Sequence, residues 1–168
     1  MYIMGVDITK LYEDNSGQSA TPDTAGARDL GFQKGSRFMD HNGNEYIYLA
    51  GVASTAAGSW VTFNQDDYST ALLAANAIGP VAVAVGACTA SYAGWYQIYG
   101  KCSSAKCLTQ FADNAKVWAT GTAGSVDDAS VAGDLVNRAR GASTTVVDSG
   151  VAEFELHYPY VDNNSSGS

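Results

Sequence analysis

Residues able to do chemistry are few in this chain, and their spacing suits no known catalytic set. The two histidines are His41, in a predicted turn, and His157, on the polar side of a predicted strand. A catalytic base needs a nucleophile in reach and a third group to orient it. Neither histidine has such neighbours in sequence, so both read as solvated side chains. Cys88, Cys102 and Cys107 could offer thiolates to a metal, but a structural zinc site takes four ligands, usually in tight pairs, and no fourth ligand is evident. If Cys102 and Cys107 share one strand, their odd spacing sends the thiols to opposite faces; a hairpin at Ser103-Ser104-Ala105 would bring them together. Small buried or half-buried thiols are the simplest reading. The acidic pairs Asp66-Asp67 and Asp127-Asp128 lack the spaced carboxylates of a calcium loop, and they suit turns or helix starts. Gly121-Thr122-Ala123-Gly124-Ser125 lacks the Gly-Lys-Ser/Thr ending of a phosphate cradle and reads as a turn. The expectation is a protein that is not an enzyme, with no cofactor and no metal.

Aromatic side chains carry more leverage: Tyr46, Tyr48, Trp60, Tyr92, Trp95, Tyr96, Tyr99, Trp118, Tyr158 and Tyr160. Alternation along a strand puts Trp95, Gln97 and Tyr99 on one face and Tyr96 and Ile98 on the other. Both sides then need cover. Core packing, a subunit interface and a sugar-stacking platform all remain open for these rings.

The elements that must hold them are strands. The 168 residues suit one domain, and an apolar content of 46% is enough to close a core. Charged residues are sparse at 15%, while 18 Gly and 10 Tyr favour strands joined by tight turns. Ser36 to Met39 and Glu45 to Leu49 flank Asp40-His41-Asn42-Gly43-Asn44, where Asn42-Gly43 can supply the positive φ of a hairpin. Further runs follow at Ser59–Asn64, Val81–Val85, Gly94–Tyr99, Lys101–Thr109, Lys116–Ala119, Thr144–Asp148 and Val151–Tyr160. In Val81–Val85 branched residues alternate with alanines, as in a central strand covered on both sides. In the last run Ala152, Phe154, Leu156 and Tyr158 share one face, and Glu153, Glu155 and His157 the other. Asp66–Ala77 and Asp127–Arg140 allow, at most, short helices. The fold expected is all-β, a compact β-barrel or β-sandwich of short antiparallel strands over residues 36–161.

Residues 1–35 open with Ile3, Met4, Val6, Ile8, Leu11 and Tyr12 and continue into a polar stretch with neither strand nor helix period. They read as an extended N-terminal arm, suited to a neighbouring surface or equally a merely floppy terminus, and residues 162–168 as a flexible tail. A net charge of −8 with nine scattered Lys and Arg makes nucleic acid a poor partner. No apolar run approaches a membrane span, and the opening residues lack an export pattern. Synthesis in the host cytoplasm and no membrane association are expected. The interface candidates are Ile3, Val6, Ile8, Leu11, Tyr12, Trp95 and Tyr99.

The order of segments from about Leu30 to Tyr160 resembles the small tailed-phage proteins that decorate, cement or stabilise the capsid. The residues carrying the likeness are Leu30-Gly31, Gly35-Ser36-Arg37, His41 through Tyr48, Gly79 through Ala84, Gly94-Trp95-Tyr96-Gln97-Ile98-Tyr99-Gly100 and Gly121-Thr122-Ala123-Gly124. The resemblance implies a virion protein on the capsid exterior, binding the major capsid protein and itself, commonly as a homotrimer. It carries over no catalytic residue. A receptor- or carbohydrate-binding module of a phage tail fibre or spike is the alternative expectation.

Overall fold

A computed structural model describes residues 32–88, 90, 92–108, 111–143 and 150–163. The opening interface candidates Ile3, Val6, Ile8, Leu11 and Tyr12, most of the arm, the expected strand Thr144–Asp148 and most of the tail lie outside the described residues. Within them the chain is all-β, without a helix. Its ten strands are β1 (Arg37–Met39), β2 (Glu45–Ala50), β3 (Trp60–Phe63), β4 (Thr70–Leu72), β5 (Gly79–Ala84), β6 (Ala93–Lys106), β7 (Lys116–Ala119), β8 (Val126–Asp127), β9 (Leu135–Gly141) and β10 (Val151–Val161).

All ladders between these strands are antiparallel. The sheet runs β1-β2-β6-β5-β10-β9-β7-β8, β3 links β5 to β4 beside this path, and β6 also pairs with β10. The path has two open ends, so the sheet is not a closed barrel and is compatible with a sandwich-like β fold. A lone parallel bridge between Cys107 and Val126 brings the β8 edge back to the end of β6.

The hairpin read from Asn42-Gly43 forms between β1 and β2. Gly43 takes φ 82°, and the Asp40 carboxylate closes the loop by accepting the Asn42 and Asn44 backbone N–H groups at 2.8 and 2.9 Å. The Asn44 amide and the Tyr46 hydroxyl also donate to it. Partial burial pushes the Asp40 pKa up, but these hydrogen bonds outweigh it and hold the group below its ordinary value.

Three expectations need correction. The two possible helices are strands and turns, with β4 in the first segment and β9 in the second. In the first, Asp67 accepts the Ser69 N–H and hydroxyl at 2.9 and 2.7 Å, and Tyr68 and Asn76 adopt left-handed backbone. Each interrupts a helical run. In the second, Gly133 at φ 85° ends the turn and delivers Leu135 and Val136 to the β7 ladder.

Next, the runs 94–99 and 101–109 are not two strands. They form the single strand β6, which passes without a hairpin from β2 and β5 to β10. The turning point is Gly100, at φ 92°, where an added Cβ would collide with the Asn44 side chain. Beyond it, Ala105 and Cys102 pair with Ala152 and Phe154, so Ser103 and Ser104 together oppose Glu153 in a bulge. The bulge resets the alternation. Cys102, Ala105 and Cys107 therefore all enter one apolar cluster, and the two thiols do not part to opposite faces.

Finally, Tyr158 leaves the core face of β10. It has φ 55°, its register partner strand has Arg138 at φ 61°, and the ladder slips between Leu156 and Tyr160. Pro159 and Val161 turn inward in its place, while Tyr158 and Tyr160 point out.

Three apolar clusters hold these strands. The largest joins Trp60, Val81 and Val83 to Phe111, Val136, Phe154 and Leu156. There Trp60 meets Phe154 edge-on at 5.1 Å and donates its indole N–H to the Lys106 carbonyl at 3.0 Å. A second cluster gathers Ile47, Leu49, Val61, Ala82, Tyr96 and Ile98. Val81 and Val83 thus enter one cluster and Ala82 and Ala84 the other, as a central strand requires. The third cluster is aromatic: Tyr46, Tyr48 and Trp95, covered by Phe32 and Phe38.

Candidate binding face on β6, β9 and β10

The two described interface candidates have different fates. Trp95 is only 3% exposed. Phe32 and Phe38 meet its ring edge-on at 5.0 and 5.4 Å, and Tyr48 lies 5.1 Å away. Tyr99 is half-buried at the point where β6 leaves β2 for β10. Its ring contacts His157 at 5.3 Å and Tyr158 at 5.1 Å.

Tyr99, His157 and Tyr158 form a row whose open side faces solvent. The β10 bulge creates it: left-handed backbone at Tyr158 swings the ring out of the core register and over Tyr99. Its hydroxyl then donates to Glu45 at 2.6 Å, a bond that raises the phenol pKa by favouring the protonated form. Glu45 also pairs with Arg37 at 3.3 Å. The ring is thus held by a hydrogen bond at one end and a tilted contact with Tyr99, the two planes 34° apart.

Next to the row lies an open cavity of about 400 Å³, whose lining includes Lys116, Asn137, Arg138, Arg140, Glu155 and His157. His157 belongs to both features. Strand register explains the clustering: Lys116 stands opposite Arg140, Arg140 opposite Glu155, and Glu155 opposite Lys101. Among the described residues the ion pairs within 4 Å are Arg37 with Glu45 and Lys101 with Glu153. Among the described residues Lys116, Arg138 and Arg140 take part in neither pair, so three cations share one concavity, although the chain carries a net charge of −8.

The sequence carries only part of the signal for this grouping. Arg138 and Arg140 have the period-two spacing of one strand face, but they lie in a segment whose weak helical spacing allows a short helix. The outward turn of Tyr158 left no mark beyond strict alternation, which put it inward.

The thiols stand apart from this face. Cys88 and Cys102 are buried, and burial raises both pKa values, that of Cys102 to about 11. A thiol in such surroundings is a poor nucleophile. Cys88 lies beside the Tyr96 hydroxyl, which is buried without a well-formed hydrogen bond. Among the described residues no group of three or more His, Cys, Asp or Glu side chains could hold a metal ion. His41 is exposed on the β1–β2 loop. Asp134, by contrast, is buried and accepts the Asn76 N–H at 2.6 Å, tying the loop after β4 to the start of β9. Nothing in the sequence marks it, because an isolated aspartate carries no motif.

No protein-family model matches the chain, and no curated protein matches it.

Proposed function

We propose that this chain is a viral structural protein, a decoration or cement subunit on the outer surface of a tailed-phage head. It binds the major capsid protein, stabilises contacts between neighbouring capsid subunits, associates with itself as a homotrimer and catalyses no reaction. The observation that carries the reading is the anchoring of the segment before β1. Phe32, just before β1, packs on Trp95 and Tyr48, at 5.0 and 5.8 Å, an aromatic platform on the β body. Ile3, Val6, Ile8, Leu11 and Tyr12 give that segment the apolar side chains for an intermolecular grip. The order of turn and strand segments, which resembles the capsid-decorating proteins, supports the same reading.

A subunit that binds the assembled lattice in preference to its parts stabilises the lattice by linkage, and self-association multiplies the attachment. The test is sedimentation of the purified chain alone and with assembled shells. The expected result is a trimer at micromolar concentration that pellets with shells; deletion of residues 1–31 abolishes pelleting and leaves the β body folded. A strictly monomeric chain that fails to pellet contradicts the proposal.

A further inference from the structure

We propose that the cavity on β7, β9 and β10 and the tyrosine row beside it form a binding site for a short acidic saccharide. The sugar's carboxylate would be held by Lys116, Arg138 and Arg140, and a ring face would lie on Tyr99 and Tyr158. The inference is independent of the capsid role.

Charge is the first ground. In an acidic chain, cations near one another are ordinarily offset by nearby carboxylates. Here the cavity holds three cations against one carboxylate, Glu155. The ion pairs described close by engage Lys101 and Arg37 instead. Glu155 also contributes to the field that raises the Lys101 pKa, after the larger effect of the hydrogen bond from Lys101 to Glu153. Two guanidinium forks and an ammonium that enter no ion pair among the described residues suit a carboxylate, which a guanidinium can bind through two parallel hydrogen bonds.

Backbone geometry is the second ground. Arg138 and Tyr158, on adjacent strands, both occupy left-handed backbone at φ 61° and 55°. That conformation costs a non-glycine residue of order 1 kcal/mol or more and is found where the side chain's direction matters. At this slip in the ladder it sends Tyr158 outward beside Tyr99, and it places Arg138 and His157 along the cavity. Strict alternation would have buried Tyr158.

Size and surroundings select the ligand class. A cavity of about 400 Å³ lies toward the small end of ligand sites and accommodates one or two sugar rings. The exposed Tyr158 ring and the half-buried Tyr99 beside it can accept the C–H face of a sugar, while the Asn137 amide and the His157 imidazole can bond its hydroxyls. A long polyanion is disfavoured, since the chain as a whole repels it. A short carboxylated sugar matches both the local positive charge and the adjoining rings.

The test titrates the full-length protein with a galacturonic acid trimer, and in parallel with the methyl-esterified trimer, which keeps the ring shape and loses the charge. Binding is read by calorimetry at low and raised salt. The acidic trimer is expected to bind and to weaken with salt, and the ester to bind at least about tenfold less tightly. Lys116→Glu with Arg140→Glu should abolish the difference between the two sugars. Tyr99→Ala should weaken both sugars together. Thermal melts of each variant identify loss of fold, and Arg140→Gln provides a milder second variant of the charge. The proposal is overturned by no binding of the acidic trimer, by equal binding of trimer and ester, or by charge variants that fold and bind normally. Tighter binding of a hexaglutamate peptide than of the trimer overturns it in favour of an acidic protein segment.

Discussion

Trp95 and Tyr99 lie four residues apart on β6 and share a face by alternation, yet one is enclosed and the other half-open. The strand itself does not distinguish them. At Trp95 the neighbours are β2 and the rings of Phe32 and Phe38, which close over the indole. At Tyr99 the strand is about to turn at Gly100; Glu45 is its last partner on β2, and on the other side β10 replaces β5, its bulge presenting Tyr158 and His157 side by side with Tyr99. Trp95 thus belongs to the enclosed body, and Tyr99 stays half-open to solvent. Exposure here is decided by what a second element lays over the strand.

If that contrast is right, substitutions at the two sites should separate stability from binding. The largest loss is expected for Trp95→Ala, which opens a cavity beneath three packed rings and should cost about 3–5 kcal/mol, read from the urea midpoint. Tyr99→Ala should cost clearly less; equal losses would erase the distinction. Gly100→Ala tests the turning point between the two sites. A Cβ there meets Asn44 in a left-handed backbone, so a loss of about 1–3 kcal/mol is expected, and a neutral outcome would show that β6 need not turn there.

Asp40→Asn loosens the hairpin that carries Phe38 over Trp95, and about 1 kcal/mol is expected at neutral pH. The pH dependence has a definite sign. Because the folded-state pKa of Asp40 is depressed, its contribution is present above the ordinary carboxylate pKa and disappears as pH falls through the folded value. Wild type and Asp40→Asn should therefore converge in acid. Tyr158→Phe, on the open side, removes a hydrogen bond to a surface carboxylate and should change stability by no more than about 0.5 kcal/mol. Native-state alkylation of Cys88 and Cys102 should be slow, accelerating only on unfolding, and rapid labelling would contradict their burial.

Legibility in the sequence divided along physical lines. Asn42-Gly43 marked its hairpin because positive φ is a local demand, and Lys116–Ala119 was bounded correctly because turn residues flank it. The valine and alanine alternation of β5 correctly announced a strand buried on both sides. The bulges at Ser103-Ser104 and at Tyr158 could not be read in this way. A bulge is a mismatch of length between two strands, and neither strand alone records it. Its effect is to reverse which residues face inward, so the positions of Cys107 and Tyr158 were lost together with the register. The cation cluster was lost for the same reason, since it is assembled by cross-strand pairing of Lys116, Arg140 and Glu155.

The capsid assignment is tested most directly by the copy number of this chain in purified virus particles, counted against the major capsid protein. A decoration subunit is predicted at a fixed stoichiometric ratio to the major capsid protein over the whole shell, on the order of hundreds of copies per particle. A handful of copies at a single vertex, or none, would contradict the account.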